Sequence, residues 1–344
     1  MKGVTLLSGY RIAIVGATGL VGQTILQVLQ DHDVPVDVLV PLAHESQGRV
    51  VHFQDKDIPV EPLDAMDWHR VDVAFFAAGN PVSETYAPLA AQAGVTVIDK
   101  SSRWRMDPEV PLVVPEVNGS AVGDNLIIAS PNCSTIQLVI ALAPIHRTFG
   151  IDRVIVSTYQ AVSGTGRDAL AELDTQVRME MSGAPSQPEV YPEPIAYNVL
   201  PYCDRFGEDD YTGEEWKLMR ETEKIMGESL HLSATAVRVP VHVGHAESVY
   251  VETRRDWTLS EVRQALATGP SVEMVDNPAD GVVPTPLAVA GTDQVLVGRV
   301  RQDLQESKGL HLFVVADNLR RGAATNAVEI MRSLASRWDV EDPR

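Results

Sequence analysis

The residue in this sequence best suited to chemistry is Cys133, because its neighbours place a thiol at the start of a predicted helix. Pro131 and Asn132 indicate a turn, and Ser134 and Thr135 suit entry into a helix. The unpaired N–H groups of a helix N-terminus carry partial positive charge, which lowers the pKa of a thiol placed there. The pattern therefore predicts a nucleophile. The alternative, a buried cysteine that acts as a small apolar residue, fits this polar turn less well.

The run from Arg238 to Glu247 contains a candidate acid or base. A side chain that exchanges protons near neutral pH is by default a histidine. His245 follows Gly244, which indicates a bend that presents the imidazole, and His242 is its local competitor. Arg238 is a candidate clamp for a carboxylate, because its planar guanidinium binds two oxygens at once. A surface ion pair is the alternative for this arginine.

Three glycines point to a second kind of chemistry. Gly16, Gly19 and Gly22 follow a short apolar run. They suit a tight turn, the approach of a pyrophosphate to a helix start, and close packing of helix on strand, in that order. The spacing predicts a dinucleotide-binding turn. Residues 44–49 include a glutamate, which favours a free ribose 2′-OH, and also a serine and an arginine, which favour a 2′-phosphate, so NAD and NADP both remain open.

Two further segments follow predicted strands directly. Ser101, Ser102 and Arg103 suit a pocket for an oxyanion or a phosphate, and an arginine that faces water is the alternative. Residues 160–166 have the glycines of a loop that approaches a ligand closely. Cys203 lacks any such context and is interpreted as a small buried residue.

The elements that must position these residues alternate along the first part of the chain. The predicted strands are 12–15, 36–40, 73–77, 95–99 and 126–129, and the predicted helices are 20–30 and 83–93. Apolar strands in alternation with helices form a parallel sheet covered on both faces. Ligands bind at the carboxyl ends of such strands. The glycine turn, residues 78–81, residues 101–103 and Cys133 all follow strands and can therefore converge on one crevice.

From about residue 150 the pattern changes to that of a mixed α+β domain. The predicted strands are 154–160, 234–240, 248–253 and 310–316, the predicted helices are 165–181 and 214–226, and a proline-rich connector spans 183–201. The last segment, 322–338, is amphipathic, and a helix of this kind can pack back on the first domain.

Length and composition limit the class of protein. A chain of 344 residues exceeds one typical core, so two domains are expected. With 47 acidic and 28 basic residues the formal net charge is −19, which argues against non-specific nucleic-acid binding. The sequence shows no apolar run that could span a membrane, no signal-peptide pattern, and only two widely separated cysteines. We expect a cytoplasmic protein with no nucleic-acid, membrane or metal partner.

Taken together, these segments resemble the aspartate-β-semialdehyde dehydrogenase family over nearly the whole chain. The matching blocks are 16–22, 101–108, 113–118, 131–135, 157–164, 238–241, 244–250 and 317–319. The resemblance implies an α/β fold with a Rossmann-type, doubly wound dinucleotide-binding domain over 1–132, completed by a C-terminal helix over 318–344. It also implies an α+β catalytic and dimerisation domain over 133–317, through which two copies form a homodimer.

The resemblance implies a reaction and the residues that perform it. The reaction is the NADPH-dependent reductive dephosphorylation of L-aspartyl 4-phosphate to L-aspartate 4-semialdehyde, in the biosynthesis of lysine, diaminopimelate, threonine, methionine and isoleucine. Cys133 is implied as the nucleophile that forms a thioester and His245 as the acid and base. Gln160 is implied to orient the substrate at the thiol.

The same resemblance implies contacts for substrate and cofactor. Arg238 binds the substrate α-carboxylate, Glu214 meets its ammonium, and the phosphate is held by Arg103, Asn132 and Lys217. The register of Glu214 and Lys217 stays open by one residue, because Glu215 is adjacent. The residues implied to line the cofactor are Gly16, Thr18, Gly19, Leu20, Val21, Gly22, Ser163, Gly164 and Asn318.

One departure from the family pattern concerns the cofactor. The family carries a Ser-x-Arg-Ser or Ser-Thr-Ser type of segment after the second strand, which holds the 2′-phosphate of NADP. This chain has His44, Glu45 and Ser46 there. Glu45 can repel a 2′-phosphate. NADP is still the expected cofactor on family grounds, with NAD as the second candidate.

Two other functions compete with this interpretation. N-acetyl-γ-glutamyl-phosphate reductase uses the same thiol chemistry on a substrate one methylene longer, but its acylated amine leaves no ammonium for Glu214 to meet. A catalytically dead relative that serves as a binding protein is the other alternative. Such relatives typically lose the thiol, so the presence of both Cys133 and His245 argues against it.

Overall fold

The computed structural model describes residues 9–44, 48–185 and 187–338. The chain forms two compact units, one made of residues up to Pro131 together with those from Ala323 onward, and one that runs from Asn132 to Gly322. Glu45 and Ser46, two of the predicted cofactor residues, lie outside the described residues.

The first unit is built on a parallel sheet, as its apolar strands predicted. Its elements up to Pro131 are β1 (Tyr10–Val15), α1 (Leu20–Asp31), β2 (Val36–Ala43), β3 (Val50–Phe53), β4 (Lys56–Pro59), β5 (Glu61–Pro62), β6 (Val73–Phe76), α2 (Asn80–Gln92), β7 (Thr96–Asp99), α3 (Pro115–Asn118) and β8 (Ile127–Ala129). The sheet order is β5-β2-β1-β6-β7-β8, with every pairing parallel. A separate antiparallel hairpin, β3-β4, was not predicted.

Both faces of this sheet are covered, which explains why its strands are almost wholly apolar. Ile12 and Phe75 lie in a buried cluster on one face, and Ala13 and Phe76 lie in a second cluster on the other. Successive residues of one strand thus enter different cores, as the alternation of side chains along a strand requires.

The second unit contains a mixed sheet of six strands. Its elements are α4 (Cys133–Phe149), β9 (Ile151–Gln160), α5 (Arg167–Ser182), α6 (Gly213–Met226), β10 (His231–Arg238), β11 (His245–Thr253), α7 (Leu259–Ala267), β12 (Val272–Met274), α8 (Pro286–Val289), β13 (Val295–Gln302) and β14 (Gly309–Ala316). The order is β10-β9-β11-β14-β13-β12. The fold prediction, a doubly wound parallel sheet with a second α+β domain, is confirmed. The elements α7, α8, β12 and β13 were not predicted.

The C-terminal segment is less regular than the predicted single helix. A π-helical turn, Arg320–Thr325, precedes α9 (Asn326–Ser333), and a short 3₁₀ helix, Ala335–Arg337, follows. Ala327, Ile330 and Leu334 enter the same buried cluster as Ile12. The amphipathic face is therefore used inside the first unit, although the helix that carries it is short.

Within residues 9–44, 48–185 and 187–338, the helices include none with the length and apolar character needed to cross a membrane.

Candidate active site

The second unit brings three predicted site residues to one edge of its sheet. β9 and β10 are parallel and end in register, with Gln160 opposite Arg238. β11 runs antiparallel to β9 and begins at that same edge with His245, whose neighbour Ala246 pairs with Tyr159. The topology alone therefore gathers an amide, a guanidinium and an imidazole that are far apart in the chain.

Cys133 is the first residue of α4, as its polar turn predicted. The helix beyond it is buried almost throughout and packs on the mixed sheet, which fixes the direction of its N-terminus. The thiol itself is only partly buried, and its Sγ lies 3.8 Å from Oδ1 of Asn132. This placement combines a rigid support with access for a ligand, which a nucleophile needs.

The residues on both sides of Cys133 contact Glu214 on α6. Nδ2 of Asn132 donates to Oε1 of Glu214 over 2.6 Å, and Oγ of Ser134 donates to the same oxygen over 3.2 Å. Nε2 of Gln160 also donates to this oxygen, over 2.9 Å. One buried carboxylate thus joins the start of α4 to the end of β9.

Glu214 is ionised in this setting. Burial works to raise its pKa, but Lys217, together with the hydrogen bonds from Asn132 and Gln160, overcomes this effect and lowers the pKa to about 2.

The neighbouring Glu215 has a structural role. Its carboxylate accepts from the N–H groups of Thr212 and Ala236, which closes a capping box and ties α6 to β10.

His245 is buried and uncharged. Its Nδ1 accepts a hydrogen bond of 3.1 Å from the N–H of Ala161, so the proton of the neutral ring is assigned to Nε2. Nε2 is buried and has no hydrogen-bond partner among the described residues. Burial first and Arg238 second lower the pKa of His245 to about 3, against an opposing effect of Glu214. In this setting the imidazole is held in its neutral form.

Arg238 lies beside this imidazole. Its Nη1 donates to the carbonyl of Ala161 over 2.7 Å, and its buried Nε has no partner within the described chain. Gly164 packs against both side chains: a Cβ added there would lie 3.2 Å from Nη1 of Arg238 and from Nε2 of His245. Nη1 of Arg238 and the unpaired Nε2 of His245 therefore both lie beside Gly164.

Ser163 and Asn318, two predicted cofactor residues, meet in the second unit. Nδ2 of Asn318 donates to Oγ of Ser163 over 2.9 Å, and the N–H of Gly244 donates to Oδ1 of Asn318 over the same distance. Asn318 therefore fixes the bend that precedes His245. His242, the competitor of His245, is exposed and lies 2.7 Å from Asp174.

The structure also identifies two residues that the sequence analysis did not connect with the site. Asp204 binds Nζ of Lys217 over 2.8 Å, closer than Glu214 at 3.5 Å. Gly322 lies against Cys133, since a Cβ at this position would be 2.9 Å from Cβ of the cysteine. A charge partner for Lys217 could have been sought among the nearby acidic residues, but local sequence gives no signal for the contact of Gly322.

The remaining predicted residues lie in the first unit. Gly16 has a φ of +86°, and a Cβ at Gly22 would come within 2.3 Å of the Gly16 carbonyl, so both positions require glycine. Gly19 precedes α1, which lacks a side-chain cap and an acidic residue in its first turn. Thr18 accepts a hydrogen bond of 3.3 Å from Nη1 of Arg49. Arg103 donates to Glu84 and stacks on Trp104.

Leu20 and Val21 form the first turn of α1. Cys203 is buried, and this burial raises its pKa to about 12. In the part of the chain that the structure describes, no three histidine, cysteine or acidic side chains come together in a way that could hold a metal ion.

Two family models match this chain. The model for the semialdehyde dehydrogenase NAD binding domain matches residues 11–125, and the model for the semialdehyde dehydrogenase dimerisation domain matches residues 142–321. With the parallel sheet and the mixed sheet, these matches define the class of protein. It is an oxidoreductase built from an NAD-binding domain and a dimerisation domain.

Similar proteins narrow this class. The aspartate-semialdehyde dehydrogenase of Aquifex aeolicus (strain VF5) is 49% identical over 333 residues, which cover 95% of this chain and 98% of the relative. A crystal structure of aspartate semialdehyde dehydrogenase II from Vibrio cholerae superimposes with a TM-score of 0.93 at 44% identity, over 96% of this chain and 99% of that one. A second structure of the Vibrio protein, complexed with ASA, has the same TM-score and identity over 95% and 98%. The chain belongs to the aspartate-semialdehyde dehydrogenase family, as the sequence resemblance predicted.

Proposed function

We propose that the chain is an NADP-dependent, phosphorylating aspartate-semialdehyde dehydrogenase that converts L-aspartyl 4-phosphate into L-aspartate 4-semialdehyde through a thioester on Cys133. One observation carries this proposal. The residues on either side of Cys133 bind the ionised Glu214, within the same unit that presents Arg238 and His245 at one sheet edge.

Four charged side chains match the three charged groups of the substrate. In the proposed complex, Arg238 binds the α-carboxylate through its unfilled donors, and Glu214 binds the ammonium. Asn132, Lys217 and Arg103 bind the phosphate. A Glu214 carboxylate with a pKa of about 2 suits an ammonium, whereas an N-acylated substrate offers no cation to it. This observation favours L-aspartyl 4-phosphate over N-acetyl-γ-glutamyl phosphate.

The thiolate of Cys133 attacks the acyl carbon. The new S–C bond forms first and gives a tetrahedral oxyanion; the C–O bond to phosphate then breaks, and inorganic phosphate leaves. Backbone N–H groups at the start of α4 are suited to stabilise the tetrahedral oxyanion, an effect worth about 3 to 4 kcal/mol for each donor in comparable sites. Covalent catalysis in this way divides one difficult substitution into two easier steps.

When bound, the reduced nicotinamide supplies the hydride that converts the thioester into a hemithioacetal. The S–C bond then breaks, which releases the aldehyde and returns the Cys133 thiolate. During these steps negative charge develops on the oxygen and then on the sulfur. Nε2–H of His245 donates a hydrogen bond to these atoms. A substrate carboxylate on Arg238 offsets the charge that lowers the pKa of His245, so binding prepares the imidazole to exchange a proton.

The glycine turn fits a dinucleotide. The start of α1 offers N–H groups to a pyrophosphate, and Gly19 leaves the approach open because a Cβ there would meet only the Gly16 carbonyl, at 3.4 Å. NADP is proposed over NAD because Arg49, which lies beside Thr18, can attract the 2′-phosphate. Glu45 opposes this preference, and Ser46 supports it.

The proposal includes the setting of the enzyme. A homodimer formed by the second unit is supported by the dimerisation-domain match and by Ile155 and Tyr159, which are exposed on β9. The proposed domain division at 132/133 and 317/318 lies within five residues of the boundaries between the two compact units, which fall at 131/132 and 322/323. A nucleophilic cysteine needs a reducing compartment, so we place the protein in the cytoplasm. The product serves lysine, diaminopimelate, threonine, methionine and isoleucine biosynthesis.

The direct test is the reverse reaction. L-aspartate 4-semialdehyde should support phosphate-dependent reduction of NADP, faster than reduction of NAD. N-acetyl-L-glutamate 5-semialdehyde is the matched substrate. Faster turnover of this compound would assign the chain to the competing reductase, and no turnover of either would favour a binding protein.

A further inference from the structure

Glu247 is a buried acidic residue that the proposed reaction does not use. It lies two positions after His245 on β11, so both side chains point to the same face of the sheet. Its solvent exposure is 0%, and both of its carboxyl oxygens lack a hydrogen-bond partner among the described residues. A buried carboxylate in that condition is strongly destabilising.

Among the described residues, the paired strands and the covering helix bring no cation against Glu247; Arg238 shares this face of the sheet but lies two strands away on β10, opposite Gln160. Its pairing partners are Thr158 on β9 and Val314 on β14. The helix that covers this face, α4, has no charged residue between Cys133 and Ala143. The one titratable neighbour on its own face of β11 is the neutral His245. Burial raises the pKa of Glu247 well above its ordinary value, and nearby Gln137 opposes this rise only in part.

Gln137 also has a buried polar atom without a hydrogen-bond partner, but this atom is an acceptor that needs a donor. It is fully buried and lies one helical turn after Cys133, on the same side of α4. Its Nε2 donates one of its two N–H groups to the backbone carbonyl of His245 over 3.3 Å, and its Oε1 can only accept. Oε1 has no donor within the described residues. Gln137 lies close enough to Glu247 to affect its pKa.

A single proton on the Glu247 carboxyl would remove its charge and provide a donor for Oε1 of Gln137. We propose that Glu247 is a neutral carboxylic acid whose O–H donates to Oε1 of Gln137, and that this pair positions Cys133 relative to His245. Gln137 then binds β11 at two points, the carbonyl of His245 and the side chain of Glu247. Because Gln137 belongs to the turn that follows Cys133, this double contact fixes the thiol-bearing helix end against the imidazole-bearing strand.

The protonation state of Glu247 determines how the free energy of unfolding changes with pH. Glutamate in the unfolded chain ionises near pH 4.3. If the folded state keeps Glu247 protonated, folding above that pH takes up a proton, and stability falls as pH rises towards the folded pKa. Glu247→Gln cannot ionise and provides an amide N–H to the same acceptor. The stability advantage of this variant over the wild-type protein should grow as the pH rises from 6 to 8, with a limiting slope of about tenfold in the unfolding equilibrium constant per pH unit while Glu247 stays protonated in the folded state.

Two variants separate positioning from simple packing. Glu247→Gln should keep kcat within about threefold of the wild-type value, because it retains a neutral donor of the same shape. Glu247→Leu fills the site but donates nothing, so kcat should fall on the order of 10- to 100-fold while KM for L-aspartate 4-semialdehyde stays unchanged. The kinetic arm rests on the proposed function; the unfolding arm does not depend on any reaction.

Each outcome decides the proposal. A stability difference between Glu247→Gln and wild type that is constant from pH 6 to pH 8 would show an ionised Glu247 and overturn it. Wild-type kcat in Glu247→Leu would overturn the positioning role, and an equal loss of kcat in both variants would show that the carboxyl acts as a charge. If Glu247→Leu does not fold, the pH dependence of unfolding of Glu247→Gln still decides the protonation state. Absence of turnover in the wild-type protein would reject the proposed function and leave that measurement intact.

Discussion

Asn132 donates a hydrogen bond of 2.6 Å to the carboxylate of Glu214, although the two residues are 82 positions apart in the chain. The contact places an ionised carboxylate against the residue that precedes the thiol. Because Asn132 also donates from its backbone N–H to Glu221 over 2.7 Å, two acidic residues of α6 together fix the turn that leads into α4.

The first prediction distinguishes Glu214 from its neighbour. Glu214→Gln should raise KM for L-aspartate 4-semialdehyde on the order of 10- to 100-fold, because a charged hydrogen bond to the ammonium is worth about 1.5 to 3 kcal/mol. Steady-state kinetics measures this change. Glu215→Gln is the matched control and should lower Tm with little effect on KM, since Glu215 caps α6. If Glu215→Gln raised KM and Glu214→Gln lowered only Tm, the ammonium contact would belong to Glu215.

The second prediction concerns the coupling between Arg238 and His245. Arg238→Met removes a positive charge that lowers the pKa of His245, so that pKa should rise from about 3. An NMR titration of the His245 ring follows this directly. Arg238→Lys is the control, since it keeps the charge but loses the planar fork. It should leave the pKa low and raise the substrate KM. An unchanged pKa in Arg238→Met would assign the shift to burial alone.

The third prediction addresses the choice of cofactor. Glu45→Ser should shift the preference towards NADPH by removing a negative charge near the proposed 2′-phosphate site. Arg49→Ala should shift it towards NADH, since Arg49 lies beside Thr18 of the glycine turn. The ratio of kcat/KM for the two cofactors measures both shifts. An unaltered ratio in both variants would place the 2′-phosphate elsewhere.

The fourth prediction tests the close approach of Gly322 to the thiol. Gly322→Ala adds a Cβ 2.9 Å from Cβ of Cys133, so one of the two must move. A displacement of the nucleophile by about 1 Å should lower kcat on the order of 100-fold. Gly119→Ala is the control, because a Cβ there has nothing within 4 Å. Equal kcat in both variants would show that the contact does not position the thiol.

The parallel sheet could be predicted because each of its main strands is recognisable from its own sequence. Runs such as Val73–Phe76 are apolar on both faces, and the glycine turn marks the first strand and helix. The strands β12 and β13 gave no such signal. Val272–Met274 is only 3 residues long, and Val295–Gln302 contains a glycine, two arginines and a glutamine, so its burial depends on neighbours that the sequence does not reveal.

The members of the candidate site could be named from sequence, but their contacts could not. Local pattern placed Cys133 at a helix start, and the resemblance supplied Glu214 and Lys217. The capping box at Thr212 decides that Glu214, and not Glu215, faces Asn132. The low pKa of His245 likewise depends on burial and on Arg238, which come together only when β9, β10 and β11 align.

A covalent intermediate on Cys133 is tested most directly by a reaction without phosphate. The enzyme is mixed with L-aspartate 4-semialdehyde and NADP, and NADPH is recorded during the first turnover, with Cys203→Ser as the matched cysteine control. We predict a burst of about one NADPH per active site, an acyl adduct on Cys133 by mass spectrometry, and resumed turnover when phosphate is added. Both burst and adduct should persist in Cys203→Ser and vanish in Cys133→Ala. A burst that survives in Cys133→Ala, or an adduct on any other residue, would contradict the account.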